Sequence, residues 1–226
     1  MSLEGELRPL RPGAEVGIPG GPRGSLGLLL QNATGDRFAL SCSHVLASCG
    51  DAHEKTPLIQ PANPYVAAAT ISVGELTATF TRIEFGSGVN HEDFAVARVS
   101  MTIACVPSFA GGAPPPRTVF VGDGADMRDC ATELTGIVTR GARGVVSTKQ
   151  TGYATIGYPG FGVARFAGVV EYRTSCSEGD SGAAVMLADT DVVLGIHIGG
   201  ESAREIGYLL PIASFLQSHG FHLFGG

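Results

Sequence analysis

Cys176-Ser177-Glu178-Gly179-Asp180-Ser181-Gly182, followed by the apolar run Ala183-Ala184-Val185-Met186-Leu187, is the stretch on which the reading of this chain turns. Small residues let the backbone turn tightly just ahead of a strand-length hydrophobic segment. A serine hydroxyl is a weak nucleophile until a base takes its proton, and the oxyanion formed on attack needs preorganised donors, usually backbone N–H groups on a glycine-bearing turn. Ser181 is therefore the candidate nucleophile, and the amides of Gly179 and Ser181 are the candidate oxyanion donors. Alone, the tetrapeptide reads equally well as an ordinary Gly-Asp turn. The rest of the chain must decide.

Working outward, a base is available in Leu40-Ser41-Cys42-Ser43-His44-Val45-Leu46, where His44 ends a strand and two apolar residues follow. A lone histidine in such a place is more often a satisfied structural residue. An acid is available in His91-Glu92-Asp93-Phe94-Ala95-Val96-Ala97, where Asp93 opens an apolar strand and its carboxylate can lie at a barrel mouth. Alone it would be strand-edge punctuation. Jointly, His44, Asp93 and Ser181 stand in the chain order His, Asp, Ser, and unrelated folds use this triad in other orders.

The 226 residues fit one large β domain or two small ones. Short apolar runs recur between turn clusters at 26–31, 38–41, 66–73, 77–85 and 94–99, and long helical periodicity is absent. Gly111-Gly112-Ala113-Pro114-Pro115-Pro116 interrupts this pattern and can continue neither a helix nor a central strand. A second set of strands is expected at 118–122, 132–139, 163–173, 183–187, 192–198 and 206–210. A short helix follows from Pro211, with Gly220 as its stop. Residues 1–24, with Pro9, Pro12, Pro19 and Pro22 among several glycines, suit an extended arm. The expected organisation is all-β: an arm at 1–24, a first β half at 25–109, a linker at 110–117, and a second β half with the terminal helix at 118–226.

Composition narrows the function classes. A net charge of −6 and 16% charged residues, against about 25% in typical proteins, argue against a nucleic-acid binder. With 44% hydrophobic residues and 33 glycines, a turn-rich globular protein is expected. No apolar window is long enough for a membrane span and no signal-peptide pattern is visible, so a cytoplasmic, non-membrane protein is expected. The five cysteines are odd in number and lack CxxC pairing, which suits reduced, mainly buried thiols. Asn32-Ala33-Thr34, formally a sequon, reads more simply as a hairpin turn running to Asp36. His53, His91, His219 and His222 lack ligand partners at metal-binding spacing, and no phosphate-binding glycine loop is present, so neither metal nor cofactor is expected.

In these three motifs and their order the chain resembles the trypsin-like (chymotrypsin-fold) serine peptidases over roughly residues 25–218. The resemblance implies two antiparallel six-stranded barrels with the triad in the cleft between them. This agrees with the two β halves read from the strand pattern, which place Ser181 on one half and His44 and Asp93 on the other. No Ile-Val-Gly-Gly-like segment is present to supply a terminal ammonium to Asp180. The segment that holds Arg140 and Arg143 neighbours this aspartate in non-zymogen bacterial relatives, so the resemblance makes one of them its expected partner, the alternative being an exposed arginine turn. The family's cysteine after the histidine is Val45 here, and Cys176 has no later cysteine to pair with. The chain thus looks like an intracellular bacterial version without the secreted disulfides.

The segment Gly195-Ile196-His197-Ile198-Gly199-Gly200 resembles one found in glutamyl endopeptidases, with a similar segment in picornaviral proteases, where the histidine contacts a Glu or Gln side chain. The resemblance makes His197 a candidate reader of the P1 residue, with Gly199 and Gly200 at the substrate-pairing edge. Counting back from Ser181 puts Ser175, not an acid, at the usual pocket base, so trypsin-like basic specificity is not expected. Thr174 or Ser177 can add a hydroxyl, and Tyr208 can line the same pocket. The alternative is that His197 only bonds a neighbouring strand. The function expected is a serine endopeptidase acting on protein or peptide substrates. The competing reading is a partner-gated or inactive binding module of the same fold, in which an activating protein partner opens the cleft and residues 1–24 serve as docking arm or plug. A Gly-Asp-Ser esterase on an α/β fold is disfavoured because its aspartate and histidine follow the serine.

Overall fold

The computed structural model describes residues 9–62, 71–110, 113–122, 124–147 and 152–226. In the first half, an antiparallel sheet runs in the order His222–Leu223, Leu28–Gln31, Arg37–Ser41, Ala95–Val99, Ile71–Phe80, Pro57–Gln60, Glu15–Gly17, Arg23–Ser25. Register shifts at Leu58/Ile59 and between Leu76 and Phe80 bend it, as bulges do, so the sheet curls over a core that includes Leu28, Leu40, Leu58, Val96 and Phe94. In the second half the order is Ala184–Leu187, Ala131–Leu134, Ala142–Val146, Val170–Arg173, Ile206–Pro211, Val192–Glu201. Ala184–Leu187 pairs again with Val192–Glu201, which closes a six-stranded barrel around Leu134, Val170, Tyr172, Val185, Leu194 and Leu209. The architecture is the expected all-β double barrel with a terminal helix; its first half is a curled sheet and its second a closed ring.

The helix Ala213–His219 ends where Gly220 adopts φ +66°, the left-handed stop expected of that glycine. Its apolar side crosses to the first half: Phe215 packs on Phe94 with ring centroids 5.0 Å apart, next to Asp93 in sequence. Burying such a ring contributes roughly 1.5–3 kcal/mol. The tail then pairs His222–Leu223 with Leu30 and Gln31, and so enters the first sheet.

A third, three-stranded sheet bridges the halves. The hairpin of Tyr153–Tyr158 and Gly162–Ala167 lies within the second half of the sequence, but Gly162–Ala167 pairs in parallel with Val89–Asn90 of the first. Asn90 fastens it: its amide donates to the carbonyls of Glu84 (2.8 Å) and Arg165 (3.1 Å), while its Oδ1 accepts the Glu84 N–H.

Several expectations change. Residues 9–24 are no arm: Leu10, Ala14 and Val16 are fully buried, and Glu15–Gly17 and Arg23–Ser25 are strands of the first sheet. Gly17 there serves close packing, since a Cβ on it would lie 2.8 Å from Ala62 Cβ and 2.9 Å from the Pro22 carbonyl. The expected strand 163–173 is two strands, Gly162–Ala167 and Val170–Arg173, broken at Gly168 with φ +72°. Part of the expected strand 66–73 and the Gly111-Gly112 step lie outside the described residues. The Asn32–Asp36 turn forms as read, with Asn32 Oδ1 accepting the Thr34 and Asp36 N–H groups. None of the five cysteines forms a disulfide. Among the described residues, no helix is long and apolar enough to cross a membrane.

Candidate active site

Strand register brings His44 to Asp93. Arg37–Ser41 runs antiparallel to Ala95–Val99 with Leu40 opposite Val96 and Ser41 opposite Ala95, so residues just past Ser41 meet residues just before Ala95. The chain there makes one helical turn, Ser43–Leu46, and the Ser43 N–H donates to the Asp93 carbonyl at 3.2 Å. The side chains complete the contact. His44 Nδ1 lies 2.6 Å from Asp93 Oδ2, and the His44 backbone N–H donates to Oδ1 at 3.1 Å. Asp93 is fully buried, so its carboxylate depends on these donors in place of water. A third donor is the hydroxyl of Tyr158, 3.1 Å from Oδ2, which arrives on the bridging hairpin.

Ser181 is placed by the second barrel and braced by the first sheet. The Gly182 N–H donates to the His197 carbonyl and the His197 N–H to the Ala183 carbonyl, which extends the Ala184–Ile196 pairing to the turn. From the first half, the Ser25 N–H donates to the Ser181 carbonyl at 2.8 Å and the Ser25 hydroxyl donates to the Gly179 carbonyl at 2.9 Å. Gly179 and Gly182 adopt φ +102° and +91°, and a Cβ on Gly182 would fall 2.0 Å from Ser41 Oγ, so this bend admits only glycine. Among the described residues, the amides of Gly179 and Ser181 donate to no protein group. Two unpaired N–H groups thus flank the serine.

Asp180 does not use an arginine. Its Oδ1 accepts the N–H groups of Val138 (3.1 Å) and Thr139 (2.9 Å), and its Oδ2 accepts that of Ser177 (2.9 Å). The expected cation is replaced by three backbone dipoles, which suit a fully buried carboxylate because no second charge must be desolvated. Arg143 instead makes a bidentate pair, both contacts 2.6 Å, with exposed Asp189, and Arg140 is exposed.

The candidate residues open on one cleft of about 820 Å³. His44, Gly179, Ser181, His197, Gly199 and Gly200 all line it; Tyr208 and Ser177 do too, whereas Ser175 is exposed and lies outside its lining. The reason is local: Thr174 and Cys176 point inward, and a Cβ on Gly200 would sit 2.7 Å from Cys176 Sγ, so Cys176 floors this part of the cleft. His197 is nearly fully buried, and its Nδ1 lies 2.9 Å from the hydroxyl of fully buried Tyr172. Burial is the main force that lowers its pKa to about 4; the His44 ring acts in the same direction and Asp180 against it.

Three participants were not legible in the motifs. Tyr158 sits before Pro159-Gly160, a turn signal between strand-like runs that marks the hairpin but not its destination. Tyr172 ends an apolar run with nothing to mark its partner. Gly20 to Arg23, read as arm, form one wall of the cleft. Cys42, His44 and Asp93 place ligating atoms within 4.8 Å of one another, but the His44 Nδ1 position is taken by Asp93. Burial also pushes the Cys42 thiol well above its ordinary pKa, against the thiolate a metal would need.

No protein-family model matches this sequence, and no curated protein matches it. Solved structures do match. Thermobifida fusca Protease A aligns over 96% of this chain and 100% of its own with a TM-score of 0.65 at 17% identity. Cellulomonas bogoriensis chymotrypsin aligns over 96% and 100% with a TM-score of 0.64 at 18% identity. A glutamic-acid-specific serine protease described as using a histidine triad in substrate binding aligns over 95% and 100% with a TM-score of 0.65 at 19% identity. At such identities the likeness is one of fold, and the chain has the chymotrypsin-like double-barrel fold of these bacterial proteases.

Proposed function

We propose that the protein is a serine endopeptidase that acts through an acyl-enzyme, with His44 as base, Asp93 as the acid that orients it and Ser181 as nucleophile. The observation that carries the reading is the pair of unpaired amides, Gly179 and Ser181, beside a serine that shares a cleft with the buried His44–Asp93 pair. Asp93 holds the His44 Nδ1 proton, which leaves Nε2 to take the Ser181 proton. The carbonyl oxygen of the scissile bond then gains charge between the two amides, the geometry that stabilises a tetrahedral intermediate. Because Asp180 is satisfied by backbone amides, the turn needs no arriving cation to form, which counts against a partner-gated module.

Cleavage after Glu or Gln is the narrower reading, and it leans on His197. The buried Tyr172 hydroxyl must donate to something, and among the described residues its acceptor is His197 Nδ1. The ring hydrogen then sits on Nε2, the nitrogen left for a ligand in the cleft. Held neutral, such a donor suits an uncharged amide oxygen better than a carboxylate. The glutamic-acid-specific neighbour uses a histidine triad, whereas here a tyrosine stands on the ring of His197. The favoured P1 residue is therefore Gln.

A fluorophosphonate probe tests the main reading. It should label Ser181 in the folded protein and leave Ser181→Ala unlabelled; equal labelling of both, or of neither, overturns it. Peptides that differ only at P1 test the narrower one, and faster cleavage after Leu or Arg than after Gln would sink it.

A further inference from the structure

The bridging hairpin carries a side chain that no triad requires and that neither half could supply without it. Tyr158 is 6% exposed; its ring lies 4.8 Å from the His44 ring at an interplanar angle of 55°, and its hydroxyl reaches Asp93 Oδ2. Phe85 and Phe166 pack against it edge-on at 6.1 and 6.2 Å, so both the ring and the direction of its O–H are set by packing. The same strand lines the cleft through Thr155, Ile156 and Gly157. We infer that Tyr158 is a positioning residue: it fixes the Asp93 carboxylate from the far half of the molecule, so the hairpin ties the substrate cleft to the acid that orients His44. The inference rests on the reading of His44 and Asp93 as base and acid.

The carboxylate plane shows why this donor matters. Oδ1 is held by the His44 backbone N–H, and Oδ2 is shared by His44 Nδ1–H and the Tyr158 hydroxyl. Without Tyr158 the N–H donors left belong to His44, the residue whose orientation is to be set, and the nearby Cys42 thiol is a weak donor that also faces the His197 carbonyl at 3.4 Å. A reference that moves with the group it orients cannot hold it. The phenol supplies an anchor independent of His44. Burial and the Asp93 charge push its pKa well above the ordinary phenol value, so it remains a neutral donor. The anchor is itself seated three positions upstream of Asp93, where Asn90 bonds the hairpin at the Arg165 carbonyl.

Removal of one oxygen tests this. Tyr158→Phe should lower kcat about tenfold with KM little changed, since an orientation effect appears in the reacting state and leaves the binding surface intact. In the same variant the downfield proton NMR resonance of His44 Nδ1–H should move or broaden. Tyr153→Phe, on the same strand but exposed, should leave kcat, KM and the resonance as they are. A resonance of unchanged position and width in Tyr158→Phe overturns the inference whether or not the protein hydrolyses anything, so its failure is distinct from failure of the peptidase reading. Should Tyr158→Phe not fold, Tyr158→3-fluorotyrosine keeps ring and hydroxyl. Its fluorine signal should shift when Asp93→Asn is added, and no shift overturns the inference.

Discussion

His44 and His197 are both buried, both line the same cleft and both are tethered through Nδ1, yet the two ends of the site give them different partners. At the first-half end the tether is the carboxylate of Asp93, an anion suited to the ring of a proposed base. At the second-barrel end it is the phenol of Tyr172, which brings no charge, so burial keeps the ring neutral with a pKa of about 4. The same residue type is a candidate base in one place and a candidate hydrogen-bond donor to substrate in the other. The partner on Nδ1 and the deeper burial of the His197 ring together make the difference.

The comparison breaks most sharply at Asp93. Asp93→Asn gives His44 a neutral partner like that of His197 and favours the wrong tautomer. We expect kcat to fall on the order of 10⁴-fold, measured on a peptide or ester substrate, with the fold retained by circular dichroism. Retention of most of the activity would mean that the carboxylate is not what separates the two histidines.

A smaller effect is expected at His197 and is legible in stability. Its folded pKa lies below the unfolded value, so between about pH 6.5 and pH 4 the unfolded chain binds a proton that the folded chain does not. Stability is thus full above about pH 6.5 and falls as the pH drops toward 4, by on the order of 3 kcal/mol for this group. Denaturant titrations across that window should show the slope in the wild type and a flatter profile in His197→Gln. Equal slopes would show that His197 is not the group held neutral.

The smallest effect is expected outside the contrast altogether. Arg143 and Asp189 are more than half exposed and their pair is screened by solvent. Arg143→Ala should leave activity and the unfolding midpoint unchanged within error. A large loss of activity would instead point to a long-range role for this arginine at Asp180.

How much was legible follows from the range over which each feature is determined. The candidate triad and the glycine turn were readable because chemistry and a tight bend demand particular residue types in short motifs. Strands at 94–99 and 192–198 were readable because apolar runs of that length announce themselves. Residues 9–24 were misread because glycine and proline at close packing contacts look the same in composition as glycine and proline in an arm. The partner of Asp180 was misread because backbone amides leave no mark in a sequence, whereas Arg140 and Arg143 do.

The chain order of His44, Asp93 and Ser181, the two sets of strands and the turn-forming glycines are local properties of the sequence, and they determined the fold class and the chemistry to look for. The tertiary structure alone decided that Tyr158 meets Asp93, that Tyr172 meets His197 and that Ser25 braces Gly179. Each of these joins residues far apart along the chain, through a hydroxyl whose partner is chosen by packing and strand register rather than by its neighbours in sequence.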